Sequence, residues 1–247
     1  MCTVTFIARR QGYALGMNRD EKVSRVQGLP PSKHVLNGRT AIFPSEPSGG
    51  TWIGVNEARV TFALINWYSV PARVSQNALS RGEVTRSVLT FDEPSEAEQH
   101  LTEFPLHRTN PFRLMGIFPN SMSVVEWRWD LVALESVQHD WQTNIWISSG
   151  FDEPTAERVR RETFTSARRN GLVHDVQWLR KLHASHAPTP GPFSICMHRS
   201  DAKTVSYTEV SVTDSTVSMA YSPSPLCCSH PRVYSKVGLV RQDAHAP

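Results

Sequence analysis

The sequence predicts an α+β domain of layered type, with two β-sheets packed together and helices on the outside. Three observations predict it. Runs of β-branched and aromatic residues separated by turn signals begin at once with Thr3-Val4-Thr5-Phe6-Ile7. Helical patterns come in two pairs, and strand patterns precede, separate and follow them. Hydrophobic residues make up 39% and charged residues 20% of 247, a balance that suits a folded core.

Met1 to Ala8 and Tyr13 to Met17 are strands joined by Arg9-Arg10-Gln11-Gly12, a hairpin signal. Residues 22–40 are polar, contain Pro30-Pro31 and Asn37-Gly38, and read as a loop. Ala41-Ile42-Phe43-Pro44 is a short strand stopped by its proline. Thr51 to Val55 and Val60 to Trp67, joined by Asn56-Glu57-Ala58-Arg59, form a second hairpin. Ser80-Arg81-Gly82 precedes a helix over 83–89. Ser95-Glu96-Ala97-Glu98 has capping-box spacing and starts a helix to Glu103. Strands follow at Phe112 to Phe118, Ser123 to Trp129, Leu131 to Val137 and Asn144 to Ser148. Asp152-Glu153-Pro154 opens a long helix through Arg168, with proline where its missing N–H costs nothing. Arg158, Arg160, Arg161, Arg168 and Arg169, interspersed with Glu157 and Glu162, read as the solvated face of that helix. His174 to His183 is a further helix with Val176, Leu179 and Leu182 on one face. Phe193 to His198 and Val205 to Val212 make the last hairpin. One domain therefore spans residues 1–221, and 222–247 reads as an irregular tail.

Charge and composition exclude several classes. A net charge of +3, from 26 basic and 23 acidic residues, is too balanced for a dedicated nucleic-acid binder. No apolar run reaches the length of a membrane span, and no secretion signal is read at the start. Four cysteines, two of them adjacent, do not form a disulfide framework, so the expected compartment is the reducing cytoplasm. Cys227-Cys228-Ser229-His230 holds three metal-ligating residues but lacks the paired spacing of a zinc site. It reads as an adventitious cluster, and no metal or cofactor is assigned. Oligomeric state is not legible.

Five short motifs carry a resemblance. They are Met1-Cys2, Asn18-Arg19-Asp20-Glu21, Gly49-Gly50-Thr51-Trp52-Ile53-Gly54, Ala63-Leu64-Ile65-Asn66 and Ser80-Arg81-Gly82-Glu83. In this order they cover about the first third of the chain, which thereby resembles the NRDE family of transport and Golgi organisation protein 2 type. The resemblance implies an N-terminal nucleophile hydrolase fold, a four-layer αββα sandwich. It extends distantly to choloylglycine hydrolases and penicillin V acylases, which begin Met-Cys and cleave amides. By that resemblance Cys2 is the nucleophile, Asp20 holds its α-amino group, and Asn66 and Asn144 stabilise the oxyanion. Asn18 and Arg19 join the site through the motif. The acylases place an arginine just before their Asn-x-Asp segment, where this chain has Met17, so Arg19 is expected to pair with Glu21 or an entering acidic group. Arg199 stands for a late arginine of the acylases, and Trp67 for an apolar pocket wall.

The chemistry of such a site is simple. Loss of Met1 gives Cys2 a free amine whose ordinary pKa of about 7.7–8.0 lets it accept the thiol proton. A neighbouring ammonium is expected to lower the thiol pKa. The ligand expected is a small acyl-amide. The alternative is a non-catalytic carrier of an apolar ligand, haem or lipid, on the same fold.

Overall fold

The computed structural model describes residues 1–169, 175–228 and 235–240. Its strands are β1 (Cys2–Ala8), β2 (Tyr13–Lys22), β3 (Leu29–Leu36), β4 (Arg39–Ser45), β5 (Ile53–Asn56) and β6 (Thr61–Asn66). Helices α1 (Arg81–Val88) and α2 (Pro94–Glu103) follow, then β7 (Phe112–Phe118), β8 (Ser123–Trp129), β9 (Leu134–His139) and β10 (Asn144–Ser148). Helices α3 (Glu153–Arg169) and α4 (Val176–His183) precede β11 (Ala202–Val212), β12 (Thr216–Ser222) and β13 (Ser235–Val240). The first sheet runs β10-β1-β2-β11-β12-β13 and the second β3-β4-β5-β6-β7-β8-β9, every pairing antiparallel.

Strand alternation sorts the side chains into layers. Val4, Phe6, Leu15 and Met17 of the first sheet meet Ile53, Val55, Ile65 and Met115 of the second in a buried core between the sheets. Phe62, Leu64, Leu114 and Trp127 face the other way, onto Val84, Val88 and Leu101 of α1 and α2. Ile7, Ala14, Ile145 and Ile147 pack against Phe164, Leu179 and Leu182 of α3 and α4. The order of layers is thus α, β, β, α, as the resemblance implies. A buried polar contact also joins the sheets: Arg113 of β7 pairs with Glu126 of β8 and donates to the Ile147 carbonyl of β10 at 3.2 Å. Burial opposes the charge of Glu126, but His139, Arg128 and Arg113 together hold its carboxyl well below the usual range.

Several elements differ from expectation. The polar segment 22–40 contains a strand, β3, at the edge of its sheet, with a register shift between Leu29 and Ser32 that spans Pro30-Pro31. An edge strand tolerates prolines that a central one would not. Asn37 and Gly38, with φ of 48° and 80°, make the tight turn into β4. Helix α2 is capped at Glu93 with Pro94 in its first turn, not by a Ser95 box. Residues 193–198 do not pair as a long hairpin; β11 instead joins β2 to β12. The tail is not wholly irregular, because β13 extends the first sheet. Among the described residues no helix is long and apolar enough to cross a membrane.

His183 closes α4 against β1. It is fully buried, with Nε2 3.0 Å from the Thr5 hydroxyl, and burial followed by the Arg160 charge lowers its pKa from 6.5 to about 3. A depressed base binds its proton later in the folded state than in the unfolded one. Its contribution is therefore intact above pH 6.5 and is lost as pH falls toward 3. Between pH 6.5 and 5 the unfolding free energy should drop by about 2 kcal/mol more in the wild type than in His183→Gln. Urea titrations at the two pH values measure the difference; parallel slopes for the two proteins would refute it.

Candidate active site

The beginning of the chain is the centre of the site. β1 lies between β2 and β10, so residue 2 is held on both sides. The ladder continues one residue beyond the strand: the Asp20 N–H donates to the Met1 carbonyl at 2.9 Å, and the Met1 ammonium donates to the Asp20 carbonyl at 3.1 Å. Cys2 stands opposite Arg19 on one side and Ser148 on the other. Its backbone N–H donates to Ser148 Oγ at 3.1 Å. Only 7% of Cys2 is exposed, and it opens onto a cavity of about 770 Å³ between the sheet ends.

Alternation along β2 divides the Asn-Arg-Asp-Glu motif between two environments. Arg19 faces the same side as Cys2 and lines the cavity, its guanidinium 4.4 Å above the Trp52 ring, 2.6 Å from Glu46 and 3.6 Å from Glu21. The pairing expected with Glu21 is present, and Glu46 is the nearer partner. Asn18 and Asp20 point toward the helices. Asn18 is fully buried and its Nδ2 donates to the carbonyls of His183 and Ile195, both at 2.9 Å. The Asp20 carboxylate is fully buried against Arg160 of α3 at 3.2 Å and accepts the Thr204 hydroxyl at 2.7 Å. Arg160 also donates to Thr3 Oγ1 at 2.7 Å and to the Pro192 carbonyl at 3.3 Å. Arg158 and Arg161 are the solvated arginines expected of α3, whereas Arg160 has no exposure.

The cavity wall across from Cys2 takes Asn66 from the end of β6 and Tyr68 from the segment that follows it. Asn66 Nδ2 donates to Tyr68 Oη at 2.8 Å, and that hydroxyl accepts from the Met1 ammonium at 3.4 Å. The Tyr68 ring rests on Gly150: a Cβ there would lie 3.0 Å from its edge. Gly50 and Gly82 bring two further motifs into contact. The Thr51 N–H donates to the Gly82 carbonyl at 3.1 Å, and a Cβ on Gly82 would meet that same nitrogen at 2.8 Å. This close approach sets the first turn of α1, capped by Ser80, so that Arg81 lines the cavity. Arg81 donates to the Pro111 carbonyl at 3.2 Å, and among the described residues no carboxylate lies within ion-pair distance of it. Arg199 lines the far wall, paired with Asp201 at 2.8 Å and stacked 4.7 Å over Phe151.

The cavity thus gathers the side chains of Cys2, Arg19, Asn66 and Arg199 of the expected set, whereas Asp20 meets the chain's amine through its backbone carbonyl, its carboxylate being turned to Arg160. Three expectations are corrected. Asn144 stands opposite Phe6, four strand positions or roughly 13 Å from the level of Cys2, and its Oδ1 accepts from the Ile145 N–H. Asn18 is consumed by the helix layer. Trp67 does not line the cavity; Trp52 and Tyr68 provide its aromatic surface. The expectation of a lowered thiol pKa concerns the chain that has lost Met1; with Met1 attached the balance is different. Burial pushes the Cys2 pKa up, and the lowering effect of the ammonium does not overcome it. The ammonium is pushed the same way: burial opposes its charge, but Cys2, Tyr68, Glu21 and Asp20 raise it to about 10. Ser148, Tyr68 and Arg160 were not singled out in the sequence.

A family model described as Transport and Golgi organisation 2 matches residues 1–162. No curated protein matches the sequence. Penicillin V acylase from Agrobacterium tumefaciens superposes with a TM-score of 0.55 at 11% identity, over 96% of this chain and 86% of that one. A mutant conjugated bile acid hydrolase from Clostridium perfringens gives a TM-score of 0.59 at 10% identity, over 96% and 92%. These likenesses establish the N-terminal nucleophile hydrolase fold.

The Asp20–Arg160 pair yields a test of what holds this site. Arg160→Met strands a carboxylate in the interior and should cost about 3–5 kcal/mol of unfolding free energy. Adding Asp20→Asn to that variant removes the stranded charge and should restore part of the loss. Chemical denaturation of the two single variants and the double would reveal the coupling; strict additivity would show that the pair does not act as a unit.

Proposed function

The chain belongs to the Transport and Golgi organisation 2 family, and from that premise we propose that it is an N-terminal cysteine amidohydrolase acting on a small acyl-amide. The observation that carries the reading is the convergence of the chain's amine, the Cys2 thiol, Asn66 and Tyr68 at one cavity. Met1 must first be removed. The new α-amino group then stands where the Cys2 N–H stands now, against Ser148 Oγ. It takes the thiol proton, and the thiolate attacks the amide carbonyl carbon. The carbonyl oxygen becomes an oxyanion, to which the second Asn66 amide hydrogen and the Tyr68 hydroxyl donate in this reading. The ammonium returns its proton to the departing nitrogen, leaving a thioester on Cys2. Water, deprotonated by the same amine, cleaves the thioester and releases the acid.

The cavity wall favours this reading over the apolar carrier. Arg19, Glu21, Glu46, Arg81 and Arg199 surround the opening, a setting costly for a lipid chain and suited to a polar substrate. Arg81, a cation with no ionic partner among the described residues, favours a substrate bearing a carboxylate or similar anion.

Intact-mass spectrometry of the processed protein should show the loss of one methionine, and hydrolysis by a chain that retains Met1 would exclude the mechanism. On a panel of N-acyl amino acids, penicillin V and acyl-homoserine lactones, Cys2→Ala should abolish turnover while preserving binding. Asn66→Ala should lower kcat by roughly 10²–10³ with little change in KM. Tight haem or lipid binding by every variant, with no hydrolysis by the processed wild type, would favour the carrier. Arg81→Leu should raise KM for carboxylate-bearing amides and leave neutral ones nearly unchanged. Equal effects on both substrate types would remove Arg81 from substrate recognition.

A further inference from the structure

Three side chains of the loop that follows α4 meet a fourth from the segment after β12. They are His186, Cys196, His198 and Cys227, and their ligating atoms all lie within 4.8 Å of one another. His186 Nε2 is 3.0 Å from His198 Nε2, and Cys196 Sγ is 3.2 Å from Cys227 Sγ. His198 Nε2 is 3.7 Å from Cys196 Sγ and 3.4 Å from Cys227 Sγ. Cys196 is buried and the other three are partly buried.

We propose that these four residues form a structural zinc site of Cys₂His₂ type. Zinc bonds of about 2.3 Å to sulfur and about 2.0–2.1 Å to nitrogen make a tetrahedron whose edges are roughly 3.3–3.8 Å. Four of the six distances between these atoms run from 3.0 to 3.7 Å, close to those edges, and the other two, from His186 to the sulfurs, are no longer than 4.8 Å. The donor set, two thiolates and two imidazoles, suits zinc among the available divalent metals. Four protein ligands close the coordination sphere and leave no position for a reacting water, so the ion would be structural. The two thiols bind as thiolates and release their protons on metal entry. Tethering Cys227 to the 186–198 segment fastens the chain beyond β12 to the loop ahead of β11.

The site has a consequence for the cavity. Met197, between two ligands, exchanges hydrogen bonds with Thr204: its N–H donates to Thr204 Oγ1 at 2.9 Å, and its carbonyl accepts the Thr204 N–H at 3.0 Å. That hydroxyl in turn donates to Asp20. Pro192, in the same segment, accepts from Arg160. Arg199, next after His198, stands in the cavity wall. The ion therefore fixes the loop that clamps Asp20 and presents Arg199.

Full-length protein purified without chelator should carry one zinc ion per chain by elemental analysis. Cobalt(II) exchanged into the wild type should give the intense visible bands of tetrahedral coordination and a thiolate-to-cobalt charge-transfer band. Cys196→Ser and His198→Ala should each lose more affinity than the roughly 10–100-fold that removal of an outer-shell partner costs. Cys228→Ser, whose cysteine is exposed and outside the cluster, should retain the metal. The wild-type cobalt spectrum decides the matter even where a ligand variant fails to fold. A weak octahedral spectrum, zinc content near zero, or a Cys196–Cys227 disulfide in the non-reduced peptide map would each overturn the proposal.

Discussion

The buried ion pair between Asp20 and Arg160 is the constraint on which the arrangement around the chain start depends. Neither side chain has any exposure to water. Desolvating two charges costs several kcal/mol each, and their attraction repays this only when the remaining donors and acceptors are also satisfied. Here the partners come from separate segments, Thr3 on β1, Thr204 on β11 and the Pro192 carbonyl in the loop after α4, and only Arg160 Nε is buried without one among the described residues. A pair of this kind contributes little net stability, but it admits few geometries. Any displacement of α3, β2 or β11 would leave a charge without its partners. Because the backbone of Asp20 is also the ladder partner of Met1, fixing that carboxylate fixes where the chain begins.

The period of a strand explains how four consecutive residues serve both structure and site. On β2 the odd-numbered positions Tyr13, Leu15, Met17 and Arg19 face the second sheet, and the even-numbered ones face the helices. Gly16 lies on the helix face, where a Cβ would come within 2.8 Å of Leu179, so α4 can pack close to the strand. Asn18 and Asp20 continue that face and secure α3, α4 and their loops. Arg19 continues the other face past the end of the apolar core, where the sheets diverge into the cavity. A shift of one residue in register would exchange these environments, placing the guanidinium among the helices and the carboxylate beside the thiol.

Much of this was legible in the sequence, because local patterns carry element type. The β1–β2 hairpin, both helix pairs and the strands from Phe112 to Ser148 follow from periodicity and turn residues. What escaped depends on register and on distance along the chain. Ser148 meets Cys2 only because β10 pairs with β1 at that register, whereas Asn144, chemically the more suggestive residue, comes out four positions away. Arg160 was hidden in a run of arginines, yet Ala156, Val159, Arg160 and Phe164 share the buried stripe of α3. A cation on that stripe is the signal that a buried carboxylate waits for it. β3 was masked by its prolines, which are compatible with an edge strand but erase the usual pattern. In the Cys and His cluster only Cys196 and His198 are neighbours in sequence; His186 and Cys227 join them from 12 and 29 residues away from His198. Of the other members of the tail cluster, Cys228 is exposed, and Ser229 and His230 lie outside the described residues.

The placement of Cys2 also bears on how a hydrolase of this design would be switched on. With Met1 attached, the Cys2 nitrogen is an amide: it donates to Ser148 but has no lone pair to accept a proton. The thiol is meanwhile kept protonated by burial. Cleaving one peptide bond turns that nitrogen into an amine without requiring it to move, because an ammonium donates to Ser148 as readily as an amide does. The same cut removes the Met1 ammonium from Tyr68, leaving the phenol beside Asn66 to face the cavity. It also brings the positive charge one residue closer to the sulfur, where it opposes the effect of burial. In the proposed reading, activation is therefore a chemical change at one atom inside a fold that is already complete. The strand pairing on both sides of β1, and the ion pair that anchors Asp20, hold that atom in place before and after the cut.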